Sequence, residues 1–109
     1  MTYNNIKEGN EEGRGKYLIQ EFNKKDIIYD GKVRKTTGGT GIIHIPDKYL
    51  GKRAYVVFPI ERKNVGATVS VAIDEILNKG IRPGNSHSSH AFLEKKYVGR
   101  KCLAVVMDD

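Results

Sequence analysis

GKVRKTTGGTGIIHIPDKYLGKRAYVVF, residues 31–58, is the stretch on which the reading of this chain turns. It begins at the end of an alternating segment, KDIIYDGKVRKT, that reads as a strand running into a basic stretch. TGGTG, Thr37 to Gly41, is a turn by composition, because glycine accepts a positive φ without steric cost. The β-branched run Ile42 to Ile45 is a short strand, and Pro46 ends it because proline has no N–H to donate. DKYL supplies about one helical turn, which Gly51 stops in a left-handed conformation. The apolar run Ala54 to Ile60 then reads as a buried strand.

The same order of features recurs 48 residues later, where IPDKYLGKRAYVV falls on LEKKYVGRKCLAV without a gap. Across 26–58 and 74–106, seven of 33 positions are identical: Asp26 with Asp74, Ile28 with Ile76, Arg34 with Arg82, Lys48 with Lys96, Tyr49 with Tyr97, Gly51 with Gly99 and Val57 with Val105. They gather at the stop glycine and its flanks, where geometry constrains the residue, so duplication is the reading. The expected organisation is a flexible tail over 1–15, a first unit over 16–62 and a second over 63–109, sharing one core. Lys16 to Phe22 reads as a short strand, ERKNVG as a turn or linker, TVSVAI as a strand, and NKGIRPGNSHSSH as a loop. DEIL fits a strand or a helix. AFL is a short strand, EKKYVG a helical turn and CLAVVM a closing strand. The core is expected at Ile43, Ile45, Leu50, Tyr55 and Val57 with Ala91, Leu93, Val98, Leu103 and Val105.

Residues 31–58 resemble the AbrB/SpoVT family of swapped-hairpin DNA-binding proteins, which includes MazE-type antitoxins. The shared pattern is a strand ending in a VRK-like element, a glycine-containing turn, a strand ending in IP, one helical turn, Gly and an apolar strand. The second repeat, IRPGNSHSSHAFLEKKYVGRKCLAVV, is similar to shorter relatives common in archaea and mobile elements, with Glu94 standing where the family has Pro. The resemblance covers about residues 26–107. It implies a β-rich fold, all-β to α+β, in which two tandem units exchange hairpins to close a small pseudo-two-fold β-barrel. One unit of this size buries too little apolar surface to offset its chain entropy.

The candidate site is the basic strand end Lys32, Arg34 and Lys35. Arginine presents a planar fork to phosphate or to guanine, and lysine a mobile point charge. Thr36, Thr37 and Thr40 add hydroxyl donors, and the glycines allow backbone N–H groups close to phosphate. In the family the corresponding strand end and turn contact DNA; a solvated hairpin tip has the same composition. The equivalent set in the second repeat is Arg82, Asn85, Ser86 and His87, with Ser89 beside it. Lys52 with Arg53, and Arg100 with Lys101, either cap the helical turns or touch flanking phosphates.

Composition agrees with a polyanionic partner. Nineteen Lys and Arg against thirteen Asp and Glu leave a net charge of +6, and neutralising phosphates releases condensed counterions. Plain solubility accounts for the same balance. No run is apolar enough for a membrane span or a signal segment. The single cysteine, Cys102, excludes an internal disulfide and suits a reducing, cytoplasmic setting. The i, i+3 pair His87 and His90 is far short of a zinc-knuckle pattern, and TTGGTG lacks the Lys-Ser/Thr ending of a phosphate-binding loop. The expectation is a DNA-binding protein, a transcriptional regulator or a DNA-coating protein, with no catalytic residue, cofactor or metal. Its partner is double-stranded DNA, with a homodimer or protein partner also open. The alternative is a protein-interaction module of antitoxin or assembly-factor type, in which the basic face only solubilises.

Overall fold

The computed structural model describes residues 7–11, 15–84 and 89–106. They form ten strands: β1 (Lys7–Glu11), β2 (Gly15–Asn23), β3 (Ile27–Lys32), β4 (Arg34–Lys35), β5 (Gly41–Ile45), β6 (Arg53–Val65), β7 (Thr68–Gly80), β8 (Arg82–Pro83), β9 (Ser89–Leu93) and β10 (Lys101–Val106). Single 3-10 turns occupy Lys24–Asp26, Asp47–Tyr49 and Lys95–Tyr97. The fold is therefore β-rich. Among the described residues there is no α-helix, and no helix long and apolar enough to cross a membrane.

All ladders are antiparallel. One sheet has the order β1-β2-β7-β6-β10-β3 and the other β4-β5-β9-β8. Neither closes on itself among the described residues, since β1 and β3 are edges of the first and β4 and β8 of the second; the expected small closed barrel is replaced by two open sheets. Lys7–Glu11, read as part of a flexible tail, pairs with β2 from Lys7↔Ile19 to Glu11↔Gly15. Glycines and charges hide strand periodicity there, and a neighbouring edge supplies the hydrogen bonds that local propensity does not. Residues 61–65, read as a linker, continue β6 to a tight turn at Gly66 and Ala67. Pairing with β7 as far as Val65↔Thr68 overrides their polarity. Pro59, which has no N–H, lies where the β6–β7 register shifts, a bulge that bends the hairpin.

Six structural features repeat at the 48-residue offset: Arg34–Lys35 with Arg82–Pro83, Gly41–Ile45 with Ser89–Leu93, Asp47–Tyr49 with Lys95–Tyr97, Gly51 with Gly99, and the starts of β6 and β10 at Arg53 and Lys101, with β3 matched by the end of β7. Pairing follows the same rule. β5 and β9 are centred on Ile43↔Ala91, and β6 and β10 on Val56↔Ala104, each residue facing its own equivalent. Lys32 pairs with Lys101 as Gly80 pairs with Arg53. Gly51 N–H donates to Ile81 at 3.1 Å, and Gly99 N–H to Val33 at 2.8 Å. Glu94 meets the demand met by Pro46, with φ −67° and ψ 153° against −57° and 142°.

Alternation along β6 and β10 divides the interior in two. Val56, Phe58, Cys102 and Ala104 face Ile43, Ile45, Ala91 and Leu93 of the four-stranded sheet. Val57, Leu103 and Val105 face the opposite way, against Phe22, Val69, Val71 and Ile73. Ile43, Ile45, Val57, Ala91, Leu93, Leu103 and Val105 are buried as the periodicity predicts, and Tyr55 and Val98 half-buried. Leu50 is 47% exposed, because the residue after the 3-10 turn has extended backbone (φ −55°, ψ 133°) and leaves the inward face.

Two outcomes follow. Gly51 and Gly99 have φ of 86° and 89°, with open space where a Cβ would stand. Alanine at either therefore meets only the left-handed backbone penalty, about 1–2 kcal/mol. Urea unfolding of Gly51→Ala and Gly99→Ala is expected to show similar losses; a neutral variant at either position contradicts equivalent turns. The Cys102 thiol is pushed up to about 12 by burial, with Asp30 adding to the rise. A disulfide reagent at about pH 8 is expected to modify it only after unfolding, and rapid labelling of the folded chain would show the packing to be wrong.

Candidate nucleic-acid interface

Strand alternation decides where the basic strand end points. Val33 is 2% exposed and faces the core, so Arg34 turns outward and Lys35 turns back to the other side of β4. The register agrees: Arg34 is opposite Ile42, and Lys35 opposite the inward position Gly41. At Gly41 a Cβ would come within 2.7 Å of Val33 Cγ1, so the tip can approach the core only without a side chain there. Lys32 belongs to β3 in the other sheet, where it faces Lys101. These three cations, within four residues of one another, thus occupy three different positions.

Arg82 pairs with His90, and Ile42 and His44 pair with Phe92 and His90. Cross-strand partners share a face. The outward face of the four-stranded sheet therefore carries one row of Arg34, Ile42 and Phe92 and a second of His44, His90 and Arg82. Ring contacts bear this out: His90 lies 4.4 Å from Phe92 and 6.5 Å from His44, centroid to centroid, both edge-on. Phe92 is 46% exposed, whereas His90, packed against it, is 9% exposed. None of Ile42, His44, His90 and Phe92 is among the DNA-contacting residues expected from the sequence, where His90 stands out only beside His87 as a weak metal-ligand pair. The signal was present in IIHI, since placing Ile43 and Ile45 inward places Ile42 and His44 outward.

The turn after β4 is held by its own threonines. Thr36 N–H donates to Thr40 O at 2.9 Å, Thr40 N–H to Thr36 Oγ1 at 3.2 Å, and the two hydroxyls lie 2.9 Å apart. Thr36 and Thr40 thus shape the tip, and their mutual bond uses one hydroxyl proton of two. Thr37 is exposed beside them. Asn85, Ser86 and His87 lie outside the described residues, and Ser89 is buried, its Oγ donating to Asp47 at 2.7 Å. Among the described residues no three of His, Cys, Asp and Glu converge as metal ligands would.

Charge is distributed unevenly around this face. Arg100 donates to Asp74 at 2.7 Å and to Glu75 at 3.1 Å, and its guanidinium lies 4.6 Å over the Phe58 ring. Tyr97, stacked on Phe58 at 4.7 Å, donates to the other Glu75 oxygen at 2.7 Å. That bond, together with burial, pushes the Tyr97 phenol up to about 12, while Tyr97 and Arg100 hold the Glu75 carboxyl below its ordinary value. Arg62 makes a two-pronged pair with Asp30, both distances 2.8 Å, which lowers the Asp30 carboxyl in the same sense. Arg53 follows another course: Nε donates to Asn78 Oδ1 at 2.6 Å, and no carboxylate neutralises it among the described residues.

Comparison with curated proteins and with solved structures gives no match. A family model described as "Putative transposon-encoded protein (DUF2080)" matches residues 21–58, the span from the end of β2 through the first repeat to Phe58.

Proposed function

We propose that the chain binds duplex DNA through the outward face of the four-stranded sheet, as a transcriptional regulator or DNA-coating protein of a mobile element. The observation that carries this reading is the composition of that face: Arg34 and Arg82 at opposite edges, exposed His44 and Phe92 and half-buried Ile42 between them, His90 buried beneath, and no carboxylate in either row. Three strand spacings separate β4 from β8, about 14 Å. A major groove is about 12 Å wide and admits a two-stranded ribbon. The central β5–β9 pair is such a ribbon, and the corner arginines are spaced for the phosphates on either side. The net charge of +6 and the likeness of residues 21–58 to transposon-encoded proteins support the same reading.

The architecture we propose is a tandem pair of swapped-hairpin units of the AbrB/SpoVT kind, related by a pseudo-two-fold axis through Ile43/Ala91 and Val56/Ala104. The exchange of β3 and β7 between repeats supports it. Exposed Ile60 and Val65, at 54% and 53%, on the distal half of β6, favour a second reading in which a protein partner docks there.

The double substitution Arg34→Ala with Arg82→Ala is expected to weaken binding of a labelled duplex strongly. It is also expected to lower the slope of log affinity against log salt by about 0.9 for each phosphate no longer neutralised. Lys35→Ala, on the opposite side of β4, is expected to do less. Fluorescence anisotropy at about 50 to 200 mM salt, with circular dichroism to confirm folding, measures both. A folded double variant that binds as tightly as the parent removes the sheet face as the site and moves the protein-partner reading ahead.

A further inference from the structure

One groove beside this face differs from every other concavity described. It runs between the start of β6 and the end of β7, and Lys52, Arg53, Lys79 and Arg82 line it with Gly80 and Phe92. Its four cations come from three strands, Arg53 on β6, Lys79 on β7 and Arg82 on β8, and from Lys52 just before β6, and no carboxylate lines it. Arg62 is neutralised by Asp30 and Arg100 by Asp74 and Glu75, whereas none of these four cations has an ion pair among the described residues. Four uncompensated charges in one concavity repel each other, and an anion there relieves that repulsion.

The geometry inside the groove prepares it for such an anion. Arg53 is paired across the ladder with Gly80, and a Cβ at Gly80 would lie 3.4 Å from Arg53 Nη1. The guanidinium therefore lies along a backbone that carries no side chain. Nε and Nη2 are held by Asn78 Oδ1 and O, at 2.6 and 3.4 Å. The side chain is fixed while Nη1 has no hydrogen-bond acceptor among the described residues. Phe92 contributes a half-exposed ring to the same groove, beside Arg82 on the outward face. Fixed guanidinium, mobile ammonium groups and an apolar ring side by side are the chemistry that recognises a nucleotide unit.

The equivalent position in the other repeat lacks this combination. At the 48-residue offset Phe92 becomes His44, Lys79 becomes Gly31, and Lys52 becomes Arg100, whose charge is taken up by Asp74 and Glu75. Lys32 and Lys101 there line a concavity that also holds Asp30 and Glu61. The backbone pattern is duplicated; the charge pattern is not.

We propose that the Lys52–Arg53–Lys79–Arg82 groove holds a phosphodiester of the DNA, with Phe92 against the adjoining deoxyribose or a thymine methyl, and that it dominates over its counterpart. The protein then engages DNA in one orientation despite its repeated backbone. This rests on the DNA-binding reading above.

The test compares two doubles, Lys52→Gln with Lys79→Gln and Lys32→Gln with Lys101→Gln, on the full chain with a labelled duplex. Each removes two lysines, one from each side of its concavity. The first is expected to lower affinity about ten-fold or more and the salt slope by about 0.9, the one phosphate the groove holds. The second is expected to change affinity less than about three-fold, with a correspondingly small change in slope. Phe92→Leu is expected to weaken binding without altering the slope, because it removes no charge. Equal weakening by the two doubles overturns the dominance of this groove and leaves DNA binding intact. A folded Lys52/Lys79 variant that binds like the parent overturns the groove as a DNA contact. A parent chain that binds no duplex overturns the DNA reading, and this inference with it.

Discussion

The backbone of each repeat is completed by the other, and the rest of the architecture depends on that exchange. β3 finds its ladder on β10 and the end of β7 finds its ladder on β6. The amides of the two stop glycines donate across to Val33 and Ile81, and the amides of Val33 and Ile81 donate back to Arg100 and Lys52, both at 2.9 Å. Buried backbone groups must be paired. A single repeat separated from its partner would leave these groups, and one side of every central strand, without acceptors or donors. The two segments of 48-residue spacing therefore belong to one cooperative structure, although the turns that punctuate them are local.

From that exchange the outward face follows. Placing β5 against β9 with Ile43 opposite Ala91 commits Ile43, Ile45, Ala91 and Leu93 to the shared core. Since a strand has two faces, the alternate residues Ile42, His44, His90 and Phe92 are committed to the other side. The short edge strands then add Arg34 and Arg82 at opposite edges. Nothing beyond core packing is needed to bring two arginines from residues 48 apart onto one surface.

The distal part of the molecule departs from the repeat, since at the 48-residue offset β2 falls on residues 63–71, the β6–β7 hairpin, and not on a separate strand. β2 and the outer halves of β6 and β7 enclose a second cluster built on Phe22, Val69, Val71 and Ile73. Val57, Leu103 and Val105 join it from the reverse faces of the central strands. β6 and β10 are thus covered on both sides, which explains why CLAVV reads as a continuous apolar run instead of an alternating one. On β2 Gln20 is 2% exposed; its Nε2 donates to Glu21 O at 3.3 Å, and its Oε1 has no hydrogen-bond partner among the described residues.

The sequence by itself determined the features set by neighbouring residues: the 48-residue repeat, the stop glycines Gly51 and Gly99, the strand end at Pro46, and the phase that buries Ile43, Ile45 and Val57. Each depends on a local φ/ψ requirement or on two-residue alternation, which one stretch of chain expresses alone. Tertiary structure decided which strands exchange, that residues 61–65 continue a strand, that Leu50 faces solvent, and how the charges group. Lys79 joins Arg53 and Arg100 joins Asp74 and Glu75 across about 25 residues of chain, because ladder register, not sequence separation, sets which side chains meet. Lys32, Arg34 and Lys35 fall within four residues yet lie apart in space: the chain passes from one sheet to the other at Val33, so Lys32 pairs in the first sheet, and pleating sends Arg34 and Lys35 to opposite sides of β4 in the second.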